Sequence, residues 1–488
     1  MTTLPSEQRH FHVVIVGAGF SGIGAAIKLL EAGERDFVVL EAADEVGGVW
    51  RDNIYPGCGC DVESPLYSFS FAPNPSWSRM FSPQPEILDY LRRVASDFGV
   101  RPFVRFNHQV GDASWDPNKR RWELETSQGR FTADVLIAGM GALHEPIVPE
   151  LPGAESFAGR AYHSARWDRD DPIDGRRIAV IGTGASAIQI VPKLQRRVAK
   201  LVLFQRTPAW VIPRRDRTFS PLEQRLFRTL PITQTLLRAR IYARHEAVIV
   251  GFRNPWLMHL VERAVLRYLA RQVRDPALRE QLTPSFTLGC KRVLLSDDYY
   301  PALTQPNVEL VTAGIRELTA AGIVDDSGEL HELDTIVYAT GFRVTDPPFA
   351  EHIRGRGGRT LAEVWAGSPE AFLGTTVAGF PNLFLMTGPN TGLGHNSMIL
   401  MIESQLRLIM AALEQLRGGG VSLEPRAAAQ AAWIEEVRRG NEGTVWTAGG
   451  CSSWYLDEHG RNSTLWPWTT YAYGRRARFA ADDYLIER

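Results

Sequence analysis

The sequence predicts an α/β protein with two Rossmann-like dinucleotide-binding domains and a helical insertion in the second. Three observations carry that reading. A turn of the form G-x-G-x-x-G occurs at Gly17, Gly19 and Gly22, and a G-x-G-x-x-A version recurs at Gly182, Gly184 and Ala187. Each turn stands between a β-branched apolar run and a stretch with helical spacing, the context that separates a dinucleotide site from a chance glycine loop. Each unit then ends on a second apolar run whose closing residues differ: Glu41 in the first, Arg206 and Thr207 in the second.

Residues 11–16 read as a strand buried on both faces, residues 23–30 as a helix, and residues 37–40 as the next strand. Residues 121–125 and 133–137 read as further strands, and Pro146, Pro149 and Pro152 mark a crossover. Residues 177–181 open the second unit, 188–194 begin its helix, and 201–204 form its next strand. From about 218 to 285 the chain is helical and arginine-rich. Arg238, Arg240 and Arg244 in this stretch read as a solvated helix face, with a membrane-surface patch as the other reading. Residues 332–338 and 381–386 read as strands and 397–416 as a helix. This organisation predicts one discontinuous domain from 1–145 and 375–488, and a second from 146–374 carrying the insertion.

Composition excludes several classes. The 488 residues hold 54 Lys plus Arg against 55 Asp plus Glu, a formal net charge of −1, which gives nucleic acid no electrostatic foothold. No run of about 18 uncharged apolar residues predicts a membrane span. The first ten residues lack the apolar core of an export signal, and the expected location is the cytoplasm. The four cysteines, Cys58, Cys60, Cys290 and Cys451, read as reduced thiols without zinc-ligand spacing. Cys58 and Cys60 also lack the C-x-x-C spacing of a disulfide reductase.

The glycines have a physical task. The first permits the tight turn, the second lets backbone approach a pyrophosphate, and the third lets helix and strand pack closely. The phosphates then meet free N–H groups at the positive helix end. Glu41 stands 22 positions after Gly19, near the spacing of about 20 expected for an acid that accepts a ribose diol. It would repel a 2′-phosphate, so the first site suits FAD or NAD. Arg206 can pair with a phosphate dianion, so the second suits NADPH. Two different nucleotides on one chain imply electron transfer from NADPH to FAD.

Phe157, Gly159, His163, Trp167 and Asp168 form F-x-G-x-x-x-H-x-x-x-W-D just before the second unit. This pattern resembles the signature of type I Baeyer–Villiger monooxygenases. The resemblance extends through residues 47–50, 55–57, 339–341 and 388–390. It implies that Gly48, Trp50 and Asn390 belong to the cofactor surroundings and that His163 acts on domain linkage and NADPH geometry. It assigns an active-site arginine to Arg292, an NADPH-binding lysine to Lys291, and to Asp61 the carboxylate that orients Arg292. Trp454 resembles a C-terminal loop tryptophan that closes over nicotinamide and substrate. The implied activity is oxidation of ketones to esters or lactones by NADPH and oxygen through a flavin peroxide, with thioether oxidation beside it. A fixed guanidinium suits that chemistry because it can stabilise developing oxyanion charge.

The stretch 388–395 also resembles flavin-containing monooxygenases that oxidise nitrogen and sulfur, which leaves that activity open. So does an NADPH oxidase that releases only hydrogen peroxide. The expected partners are therefore a small ketone or thioether and molecular oxygen, with no metal and no assigned oligomeric state.

Overall fold

The computed structural model describes residues 9–417 and 421–488. Residues 1–8, most of the segment read for an export signal, lie outside the described residues. The strand His10–Val16 lies within an eight-stranded sheet, paired in parallel with Phe37–Leu40 on one side and Gly129–Ala138 on the other. Val13, Val14 and Ile15 are fully buried, as an apolar run without alternation requires. Helix Phe20–Glu31 covers one face and packs against helix Met398–Gln415. Leu383–Leu385 joins the same sheet in parallel with Gly129–Ala138, so both ends of the chain contribute strands to it.

The sequence-based boundary at 374/375 needs correction. Ile353–Arg354 pairs with Val110–Asp116 of the first sheet, and Leu361, Trp365 and Ala371 enter the core beneath it. The chain is back in the first sheet by residue 353. A two-residue strand carries no periodicity, which is why the return was not visible in the sequence.

The second sheet has five parallel strands in the order Val308–Val311, Lys200–Phe204, Arg177–Ile181, Thr335–Tyr338, Arg160–His163. The strand expected over 332–338 starts at Thr335. Leu330–Glu332 belongs instead to a three-stranded antiparallel meander. The break falls at Asp334, whose carboxylate accepts from the Arg177 amide at 2.8 Å and from its guanidinium at 2.9 Å.

The insertion is four helices, Pro221–Thr229, Pro231–Arg253, Pro255–Gln272 and Pro276–Gln281, each opening on a proline in its first turn. It lies against the first unit as well as the second. Arg238 Nη1 donates to the carbonyls of Pro65 at 2.6 Å and Ser68 at 3.0 Å, and Arg244 pairs with Glu63. His245 Nε2 lies 2.6 Å from the same carboxylate. The expected solvated face is thus corrected for Arg238, which grips the 63–68 loop, whereas Arg240 and Arg244 are exposed, Arg244 while pairing with Glu63.

Cys290 and Cys451 form a disulfide with Cα atoms 6.2 Å apart, which corrects their reading as reduced thiols. They stand 161 residues apart in the sequence, so only the fold brings them together. Cys58 and Cys60 are free and buried, and burial pushes the Cys58 thiol up to about 12.

Candidate active site

The first glycine turn is shaped by contact. Gly17 sits at φ +92°, and a Cβ on Gly22 would lie 1.8 Å from the Gly17 carbonyl oxygen, so only glycine closes this turn. Helix Phe20–Glu31 starts at Gly19 with no side-chain cap, leaving its first N–H groups for a ligand. Gly48, at φ +53°, faces Gly19 closely enough that a Cβ would meet the Gly19 Cα at 3.1 Å. Gly139 closes the turn from the other side, since a Cβ there would stand 3.0 Å from the Val16 carbonyl. The glycine in Ala138-Gly139-Met140 therefore has a packing reason.

Glu41 is buried at the end of its strand. Its Oε2 accepts from the Ala18 amide at 2.7 Å, and its Oε1 accepts from the Ala43 amide and from Arg51 Nη1. The carboxylate is thus held in place with acceptor capacity to spare for a ribose diol. Trp50 is buried and donates its indole N–H to the Tyr67 hydroxyl at 3.2 Å. Asn390 has a structural hydrogen bond of its own. Its side-chain amide donates to the Asn462 carbonyl at 2.8 Å, pinning the C-terminal segment.

The second turn repeats the pattern with more room. Gly182 has φ +110° and packs on the Ala339 carbonyl, helix Ala185–Gln195 starts at uncapped Gly184, and a Cβ on Gly184 would meet nothing within 4 Å. Ala187 is fully buried in the first helical turn. Thr207 accepts at its carbonyl from the Thr183 hydroxyl at 2.7 Å, tying the strand end to the turn. Arg206 is exposed and makes no ion pair among the described residues. Lys291 lies near it: burial, and then the Arg206 charge, lower the lysine's affinity for its proton. Two neighbouring cations that make no ion pair with an acid among the described residues have the charge to accept a phosphate dianion.

Arg292 and Asp61 meet as expected. Nε and Nη2 both donate to Asp61 Oδ2, at 2.8 and 2.6 Å. The aspartate charge and its hydrogen bonds outweigh burial and hold the guanidinium firmly protonated. Sequence reasoning missed Tyr455. It is fully buried, and its hydroxyl lies against Arg292 without a hydrogen bond of ordinary geometry among the described residues. Burial pushes the Tyr455 phenol up to about 12, with Arg292 pulling the other way. The disulfide explains the approach, because Cys290 is two residues from Arg292 and Cys451 is four from Tyr455. Trp454, 41% exposed, packs on Tyr455 with ring centres 4.4 Å apart, whereas Trp446 and Trp466 are core.

His163 ends the strand Arg160–His163, in register with Tyr338. It is buried, its Nδ1 accepts from the Ala165 amide at 3.1 Å, and Phe342 meets its ring edge-on. No hydrogen bond joins it to Arg292 or Asp61 among the described residues. One acid–histidine group, Glu309, Glu329 and His331, has ligand atoms within 4.8 Å of one another, and Lys200 already neutralises Glu309 at 2.6 Å.

Two uncapped glycine turns, an acid at one strand end, paired cations at the other and a clamped arginine define a two-nucleotide flavin monooxygenase. The flavin-binding monooxygenase-like family model matches residues 10–356, and the chain belongs to that family. A Baeyer–Villiger monooxygenase of Streptomyces coelicolor is 52% identical over 97% of this chain and 92% of its own. One from Pseudomonas aeruginosa is 47% identical over 98% and 92%. Among solved structures, the closed form of cyclohexanone monooxygenase superposes with a TM-score of 0.88 at 29% identity, covering 98% of this chain and 99% of that one. Oxidised steroid monooxygenase bound to NADP superposes at 0.87 and 30%, with the same coverage. OTEMO in complex with FAD and NADP gives 0.87 at 28%, covering 99% and 100%.

Proposed function

We propose that this protein is an FAD-containing, NADPH-dependent Baeyer–Villiger monooxygenase that converts ketones to esters or lactones with molecular oxygen, and oxidises thioethers at the same site. The observation that carries the reading is the Arg292–Asp61 pair in a chain that folds two nucleotide-shaped turns. The FAD unit comprises the N-terminal part and the chain from near residue 353 onward, and the NADPH unit comprises the stretch between, with the insertion. Bound FAD, reduced by NADPH, supplies the oxygen-transferring redox chemistry.

The chain's own residues supply position and charge. The Phe20–Glu31 helix start and Gly17, Gly19 and Gly22 hold the flavin pyrophosphate, and Glu41 takes the adenosine ribose. The Gly182–Ala187 turn holds the nicotinamide pyrophosphate, while Arg206 and Lys291 take the 2′-phosphate. Asp61 fixes the guanidinium plane, so Arg292 offers its remaining N–H donors to the oxygen that gains charge when the ketone is attacked. His163 stays neutral and steadies the crossover. Trp454 provides an exposed ring to cover the nicotinamide and substrate. Dependence on NADPH fits a cytoplasmic location.

Arg292→Ala tests the reading. The variant should keep bound flavin and consume NADPH, yet lose ester formation by roughly two orders of magnitude or more, with hydrogen peroxide as the product. Mass spectrometry of products from a ketone panel, beside a peroxide assay, reads both. Full ester yield from the variant would remove Arg292 from the chemistry. Retained thioether oxidation with no ketone oxidation in the native enzyme would favour the nitrogen- and sulfur-oxidising activity.

A further inference from the structure

The insertion carries a surface that neither nucleotide unit uses. Ten of the seventeen large hydrophobic residues exposed in the described structure lie between 218 and 285. On helix Pro231–Arg253, the positions Ile232, Leu236, Ala239, Ala243, Ala247 and Val250 follow one another at spacings of three and four, and all are exposed. Such a stripe normally faces a core; here Leu236 is 63% and Ile232 60% exposed. On the next helix, Trp256 and Leu260 begin a stripe that continues through Arg263, Arg267 and Arg271. Trp256 is 65% exposed. Isolated exposed apolar residues need no explanation, but a concentration of this kind marks an interaction surface.

Charge identifies the partner. Residues 218–285 hold eleven arginines against five acids, a surplus of +6 in a chain whose net charge is −1. Arg228, Arg240, Arg263, Arg267 and Arg271 are exposed and make no ion pair among the described residues. A second copy docking through the same face would set this surplus against itself. An anionic lipid surface accepts both features, with apolar side chains and the tryptophan below the headgroups and arginines at the phosphates. No helix among the described residues is long and apolar enough to cross a membrane, so the association is with the surface.

We propose that the helical insertion docks the enzyme on the surface of an anionic lipid bilayer. The arginines that bind the 63–68 loop, Arg238 and Arg244, are not part of this face, and without them the segment still holds nine arginines against five acids. The site chemistry therefore does not depend on docking.

The flavin-loaded protein is sedimented with phosphatidylcholine vesicles and with vesicles of phosphatidylcholine and phosphatidylglycerol. The expected result is binding to the anionic vesicles, weakened by salt, with little on the neutral ones. The triple variant Leu236→Glu, Trp256→Glu, Leu260→Glu should lose binding by on the order of tenfold or more. Its ester yield and melting temperature in the absence of lipid should match those of the unmodified protein. Arg263→Gln with Arg267→Gln should remove the preference for anionic lipid. Absence of binding to either vesicle overturns the proposal, as does anionic binding that survives all these substitutions. A concentration-dependent dimer in sedimentation velocity, dispersed by the triple variant and without vesicle binding, would assign the face to a second copy instead.

Discussion

Arg292 has more N–H donors than one carboxylate oxygen can take, and both of its described bonds go to Asp61 Oδ2. The fully buried Tyr455 hydroxyl beside it can accept one of the others. Tyr455→Phe keeps the ring and removes that acceptor, so ester formed per NADPH should fall roughly tenfold, with KM for NADPH unchanged. A coupling ratio equal to that of the native enzyme would reduce Tyr455 to packing. His163 gives a prediction in pH. Burial holds its imidazole down to about 4, against 6.5 when unfolded. Between those values the unfolded chain binds a proton that the folded one refuses, so stability falls as pH is lowered through this window. The loss is about 3 kcal/mol at most. Urea midpoints between pH 7 and 4 should show a shallower slope in His163→Gln. Parallel curves for the two proteins would contradict it. At this scale, the glycine turns and the strand-end positions of Glu41 and Arg206 were legible in fixed-spacing motifs, while the Arg292–Asp61 pairing followed from the family resemblance. Tyr455 was not legible, because its role arises from a contact across the chain with no local spacing. Asn390 was read by position alone, while its hydrogen bonds show it pinning backbone.

Strands and helices with strong periodicity were readable to within a few residues, as at Phe37–Leu40, Arg177–Ile181 and Met398–Gln415. What the sequence did not reveal are the ties between distant elements. The Cys290–Cys451 disulfide is the clearest, and the Thr287 amide donating to the Gly449 carbonyl at 3.0 Å reinforces it. Together they hold the segment carrying Trp454 and Tyr455 against the segment carrying Lys291 and Arg292. Cys451→Ser should therefore cost stability on the order of 2–4 kcal/mol. It should also raise KM for NADPH, because the loop is freed beside the phosphate-binding cations. A phosphine reductant should reproduce both effects in the native protein and neither in the variant. Unchanged melting and KM in Cys451→Ser would show that the clasp does not position the loop.

The whole molecule consists of two nucleotide units whose turns are built separately: Gly17 closes on Gly139 and Gly182 on Ala339, each from its own sheet. Ligand-linked stability should then be separable. A ligand that binds only the folded state adds about 2.7 kcal/mol at a hundredfold excess over Kd, and the melting temperature rises accordingly. NADP should raise the melting temperature of the flavin-loaded protein, and NAD should do so far less, since Arg206 and Lys291 meet a hydroxyl in place of a dianion. Arg206→Ala should erase most of the NADP-induced rise while leaving the rise produced by FAD on the apoprotein intact. Gly22→Ala should do the reverse, abolishing the FAD-dependent rise through its clash with the Gly17 carbonyl. If either substitution removes both rises, the units do not bind their nucleotides independently. Equal rises with NAD and NADP would show that the two cations do not read the phosphate.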